Sequence, residues 1–170
     1  MNKITALFLI TLFLGLSGFQ PSDKKEKRAR ARLEMAQLIQ SGHFRFVARS
    51  ANSNLGNFNN LTSDYDMVFD SLQVKAYLPY FGRAYSVPYN SGSGGVKFDL
   101  KAENIERDWN ERKKLFTIST KLENTDDSYS IVLTAGLDGF ANLRIDFRNR
   151  QWISYHGTIE KNTEPEKLKK

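Results

Sequence analysis

Apolar positions along the chain follow three patterns, and each predicts a different element. Residues 4–16 form an almost unbroken apolar run. It is shorter than the roughly 20 residues a helix needs to span a bilayer. Ala29, Leu33, Ala36 and Ile39, with Leu38 alongside, then recur at helical spacing. They predict a helix over 24–41, capped by Ser22 and ended by Gly42, with its apolar stripe lying on a sheet. After Gly42 the period falls to two. Phe44, Phe46 and Ala48 alternate with Arg45, Val47 and Arg49, which predicts a half-buried strand.

The Asn- and Ser-rich residues 50–63 read as a loop. Alternation returns at Tyr65, Met67 and Phe69, turns at Asp70-Ser71, and resumes at Leu72, Val74, Ala76 and Leu78. Residues 79–95 carry too many Pro and Gly for a regular element, and Val96, Phe98 and Leu100 restart the pattern. From 105 onward the chain reads as consecutive hairpins, with turns at Asn110-Glu111, 124–127, Asp138-Gly139 and 148–150. Asp138-Gly139 is the strongest of these signals and predicts a type I′ hairpin. No helix separates successive strands, so a parallel βαβ architecture is excluded. The expected fold is mainly β (α+β). It is an antiparallel meander of about eight or nine strands, forming an open barrel or curved sandwich, with one N-terminal helix that covers a face or plugs an end.

Composition narrows the class. In 170 residues, 40% are hydrophobic and 12% aromatic, too many for a disordered chain. There is no cysteine, which removes disulfides, thiolate metal sites and a lipid-modified cysteine, and two histidines leave little imidazole chemistry. The net charge of +6 is unevenly placed. Residues 33–159 carry as many acidic as basic side chains, and the surplus belongs mostly to Lys24, Lys25, Lys27, Arg28, Arg30 and Arg32. Two readings of that run stand: a solvated helix end, or a contact with an anionic membrane or polysaccharide.

Residues 1–19 have the layout of a secretory signal: Lys3, the apolar run, then the small residues Gly15, Ser17 and Gly18. The basic run beyond them opposes smooth export. The short apolar run and the cleavage-like residues favour it nonetheless, and predict a periplasmic or secreted, unlipidated protein. The expected organisation is a signal peptide at 1–19, a basic lead-in and helix at 20–41, one β-rich domain at 42–160 and a charged tail at 161–170.

The most unusual chemistry lies at 77–95. Tyr77, Tyr80, Phe81, Tyr85 and Tyr89 offer apolar faces, most with polar tips, and Arg83 can pair with a carboxylate or stack on a ring. Gly82, Gly92, Gly94 and Gly95 permit close backbone approach. The segment reads either as a loop closing the barrel end or as a recognition loop.

Other constellations are weak. His43 and His156 have no partners at ligand or triad spacing. Asp64, Asp66 and Asp70 glance at a calcium loop, but Phe69 stands where its glycine belongs. Asp126-Asp127 reads as turn chemistry. The clusters Arg112, Lys113, Lys114 and Arg144, Arg148, Arg150 flank turns, where charge is ordinary, so nucleic acid is not an expected partner. No pattern predicts a catalytic residue, a metal site or a cofactor.

The stretch 74–98 resembles a family of exported bacterial proteins, common among Bacteroides-like organisms, termed domain of unknown function 4251 (DUF4251). Its hallmark is matched by Tyr77-Leu78-Pro79-Tyr80-Phe81-Gly82-Arg83-Ala84-Tyr85, then Pro88-Tyr89 and a glycine cluster leading into Val96-Lys97-Phe98. Gly139-Phe140-Ala141, Asn149-Arg150-Gln151, Ile153-Ser154-Tyr155 and Gly157 are also similar. The resemblance spans roughly 42–159. It implies a single β-rich domain and an envelope location, and brings no activity, cofactor or catalytic residue. The reading is therefore a non-enzymatic binding module using 77–95, its ligand a small apolar molecule, a glycan or an envelope protein. The alternatives are an interaction component of the envelope without a pocket and, more distantly, a carboxylate-based hydrolase.

Overall fold

The computed structural model describes residues 23–53, 56, 58–83, 95–125 and 127–162. The expected signal peptide, the Ser22 cap, Tyr85, Tyr89, Gly92, Gly94, Asp126 and most of the charged tail lie outside the described residues. The chain divides between Ala31 and Arg32 into two units.

Helix α1 (Asp23–Ser41) opens with Asp23 and Glu26 in its first turn, where acidic groups complement the helix dipole. In the first unit the described helical residues are exposed, and Arg30 pairs with Glu26 at 2.6 Å. In the second unit only the last turns bury an apolar face. Ile39 is buried, and Met35, Ala36 and Leu38 pack against the core. The expected stripe is therefore shorter than its spacing implied, since Ala29 is exposed and Leu33 is 61% exposed. Gly42 ends the helix at φ 74°, and its N–H donates to the Ile39 carbonyl at 3.3 Å.

Among the described residues nine antiparallel strands follow in one sheet that curls into a half-barrel: β1 (His43–Ser53), β2 (Phe58–Asp70), β3 (Gln73–Pro79), β4 (Gly95–Lys101), β5 (Ile105–Asn110), β6 (Leu115–Glu123), β7 (Ser128–Gly136), β8 (Phe140–Phe147) and β9 (Ile153–Lys161). Their spatial order is β4-β3-β2-β1-β9-β8-β7-β6-β5. Every sequential pair is a hairpin except β4 and β5, which are the two edges of the sheet. The first and last strands meet at its centre, with Phe46 opposite Ile159 and Ala51 opposite Tyr155.

Period-two patterning sets the inner face. Phe44, Phe46, Met67, Phe69, Leu78, Ile118, Ile131, Leu133, Leu143 and Tyr155 are buried as one contiguous core. Burial of such side chains contributes roughly 1.5–3 kcal/mol each before conformational entropy is counted. Phe44 stacks on Phe69 with ring centroids 4.9 Å apart. The outer face is mostly polar, with a buried apolar patch on β1 and β2. Val47 and Val68 point outward yet are buried, beside Arg45, which lies opposite Val68 and pairs with Glu160 at 2.8 Å.

Three local expectations change. Much of the Asn- and Ser-rich segment 50–63 is strand, because β9 supplies Ser50–Ser53 with a ladder from His156 to Ile153. Tertiary pairing outweighs propensity there. Arg49 is an extra residue in that ladder, a bulge that carries β1 onward with Ala51 and Ser53 turned inward. At the β7–β8 turn only Gly139 has positive φ, at 86°, and the connection is Leu137-Asp138-Gly139. A type I′ turn needs two such residues, so this hairpin is the three-residue kind. Asp138 closes it by accepting from the Phe140 N–H at 3.2 Å. Leu72 belongs to the Ser71-Leu72 turn rather than to β3, with Ser71 at φ 58°.

Candidate functional site

The aromatic segment leaves the end of β3 and divides its side chains between two environments. Strand alternation puts Val74, Ala76 and Leu78 inside, so Tyr77 points outward. Tyr77 is 46% exposed, stacks on Tyr65 at 5.6 Å and has the Lys97 ammonium 4.8 Å from its ring centroid. Phe81 is also exposed, and so is Arg83.

Tyr80 does the opposite. Its hydroxyl donates to the Gln151 carbonyl at 2.8 Å and lies 3.1 Å from the Arg83 carbonyl. Its ring meets Phe147 edge-on at 5.4 Å, and Phe147 in turn meets Tyr129 at 5.8 Å. The backbone repeats the attachment, because the Gln151 N–H donates to the Arg83 carbonyl at 3.1 Å. Gly82 sits so close beneath the Tyr80 hydroxyl that a Cβ there would collide with it. The segment is thus fastened to residues 147–151 by Tyr80 and by the Arg83 backbone. The Arg83 side chain is not part of that attachment.

Arg150 organises the fastening. Its guanidinium pairs with Asp127 at 3.1 Å and lies 4.7 Å from the Phe147 ring centroid and 5.3 Å from that of Tyr80. The Asp127 side chain is 7% exposed. A carboxylate that deep in the fold is kept by its cation, since removing either partner strands the other charge. Beneath them the Tyr155 hydroxyl donates to the Pro79 carbonyl at 2.6 Å. Burial raises the Tyr155 phenol far above its ordinary value, a shift that the Arg150 charge only partly offsets. It is a neutral hydrogen-bond donor across the whole physiological range.

Sequence reading found the aromatic segment and missed Arg150 and Asp127. By sequence Arg150 reads as one of several turn cations and Asp127 as a turn residue. The spacing of 23 residues between them carries no periodic signal, and only the hairpin pairing brings them together. The remaining weak constellations disperse. His43 accepts or donates one bond with Asp70 at 2.7 Å on an exposed surface, and His156 is exposed on β9. Arg144 pairs with Asp146 at 2.7 Å and Arg148 with Glu123 at 3.6 Å. Lys24, Lys25, Lys27, Arg28, Arg30 and Arg32 are all exposed. Among the described residues no group of three or more His, Asp or Glu side chains is placed to hold a metal ion. No helix among them is long and apolar enough to cross a membrane.

Comparison with known proteins fits this architecture. A solved structure of a DUF4251 family protein from Bacteroides eggerthii has a similar fold, with a TM-score of 0.59 and 17% identity, covering 78% of this chain and 89% of that one. No curated protein matches the chain. The family model for domain of unknown function 4251 matches residues 26–159. The match takes in all of α1 but its first three residues, the half-barrel as far as Ile159 and both sides of the Tyr80–Arg150 fastening, and the chain belongs to the DUF4251 family.

Proposed function

We propose that this protein is a non-catalytic binding module of the bacterial cell envelope that engages a protein or glycan partner through the 77–95 segment. The supporting observation is the division of aromatics within that segment. Tyr80 is spent on anchoring, while Tyr77 and Phe81 remain exposed on either side of it. A loop that merely closed a barrel would turn its large rings inward, whereas recognition surfaces combine rigid attachment with exposed aromatic rings. The inner face is occupied by packed side chains such as Phe46, Met67 and Tyr155, which favours a surface contact over a small apolar ligand held within the sheet. Export rests on the layout of residues 1–19.

Native mass spectrometry of the protein purified from its own organism, alongside a Tyr77→Ala/Phe81→Ala variant, tests the reading. A bound mass present with the natural chain and absent with the variant is expected. An unchanged bound mass, or none in either sample, overturns it. Recovery of the natural protein with Met1 intact removes the export reading.

A further inference from the structure

Away from the aromatic segment, a cleft of ≈ 350 Å³ opens on the outer face of the sheet beside its β5 edge. Its shape follows from strand register. Glu106 of β5 lies opposite Ser119 of β6, and Lys121 of β6 lies opposite Ser130 of β7. All four point outward, on the face opposite Ile105, Thr120 and Ile131, which face the core. The two serines are short and form the floor; the longer side chains rise around them. The wall formed by Glu103 and Asn104 is held in place from two directions. The Thr120 hydroxyl donates to the Asn104 carbonyl at 2.7 Å, and the Ala102 N–H donates to the Leu72 carbonyl at 2.8 Å.

The cleft has a chemical direction. At one end the Ser119 hydroxyl donates to the Glu106 carboxylate at 3.4 Å, and the carboxylate keeps further acceptor positions open to a ligand. Two residues further along β6, a distance of roughly 7 Å, the lining mixes donors and acceptors in Lys121, Asn104, Glu103 and Ser130. The lining contains no aromatic or aliphatic side chain, and its polar groups are what distinguish one ligand from another. Its two carboxylates against one ammonium favour a cationic ligand. A primary amine suits the Glu106 end. Hydroxyl groups, which both donate and accept, suit the mixed end. The amine and carboxylate of an α-amino acid share one carbon and are too close together to reach both ends.

We infer that this cleft is a binding site for an amino sugar, either free or as the terminal unit of a glycan. The amine sits on Glu106 and the ring hydroxyls on Asn104, Lys121 and Ser130.

The test is a titration of the full chain followed by amide NMR, with glucosamine, its β-1,4-linked dimer and glucose as probes. Glucosamine is expected to shift signals at 103–106, 119–121 and 130, and glucose to bind about fivefold more weakly, the scale of one exposed charge pair. Glu106→Gln, an exposed edge substitution, should abolish that preference and leave the folded spectrum intact. Ser130→Leu fills the floor and should remove the response to all three probes. A stronger response to the dimer assigns the site to a glycan terminus, and an equal one to the free sugar. Equal responses to glucose and glucosamine, a preference unchanged in Glu106→Gln, or no response at these residues overturns the inference.

Discussion

The centre and the edge of this sheet are built on opposite principles. At the centre, β1 and β9 come from opposite ends of the domain and interlock so closely that Gly157 has no room for a side chain. A Cβ there would strike the Val47 carbonyl and come within 2.9 Å of the Phe46 ring. At the edges, β4 and β5 are neighbours in sequence, joined by three residues, yet they share no ladder. β5 is exposed at five of its six positions, with Glu106, Arg107 and Asp108 along it. Charged edges discourage pairing with other chains, most of all where a charge sits at an inward position, as Arg107 does opposite Ile118. Arg107 is accommodated because its guanidinium reaches Gly42 at the C-terminal end of α1, where the helix dipole favours a cation. Proximity in sequence therefore says little about which strands hold the fold together.

Substitutions at the two places should separate them. The largest loss is expected for Gly157→Ala, about 3 kcal/mol from overpacking against backbone that cannot yield, read from the urea midpoint. Asp127→Asn, which strands Arg150 beside the Tyr80 and Phe147 rings, should cost about 2 kcal/mol by the same measurement and loosen 80–83 in hydrogen exchange. Tyr155→Phe removes the bond to Pro79 and should cost about 1 kcal/mol near neutral pH. It should also flatten the alkaline limb. The phenol ionises near its ordinary value in the unfolded chain and well above it in the folded one, so stability is complete below about pH 10 and falls as pH rises further. Losing that hydroxyl removes this contribution.

On the edge, Asp108→Ala should change stability by no more than about 0.5 kcal/mol. A fall as large as that of Gly157→Ala would erase the contrast between seam and edge. The smallest effect belongs to the β5–β6 turn. Bonds from Lys114, first, and from the Trp109 indole hold the Glu111 carboxyl below its ordinary value. Its contribution is present above that ordinary value and disappears as pH falls through the lowered one. Tryptophan fluorescence should show this step, and Glu111→Gln should remove it.

These contrasts also mark what the sequence makes legible. Alternation is a local property, so nearly every hairpin could be read from residues such as Phe44, Ile118 and Leu143, and the turn at Asp138-Gly139 from its chemistry. The pairing of β1 with β9 left no trace, because register across the middle of a sheet is set by packing rather than by any turn. The same missing information hid the strand at 50–53, whose partner is β9, and the Arg150–Asp127 pair, which depends on two turns meeting. The aromatic segment announced itself by composition. Only the fold decides which of its rings is an anchor and which are exposed.

The central position of the chain ends has a kinetic consequence. The hairpins from β1 to β4 and from β5 to β9 close over short loops, apart from the fifteen residues between β3 and β4, and all of these are far shorter than the span across the seam. The seam unites residues such as Arg45 and Glu160, 115 positions apart. Loop-closure entropy grows with the logarithm of that separation, and folding rates fall as contacts become less local. Two hairpin arrays should therefore form early and dock late along β1 and β9. Gly157, where the two surfaces meet without a side chain, is then a gate on the rate of folding as well as on its equilibrium.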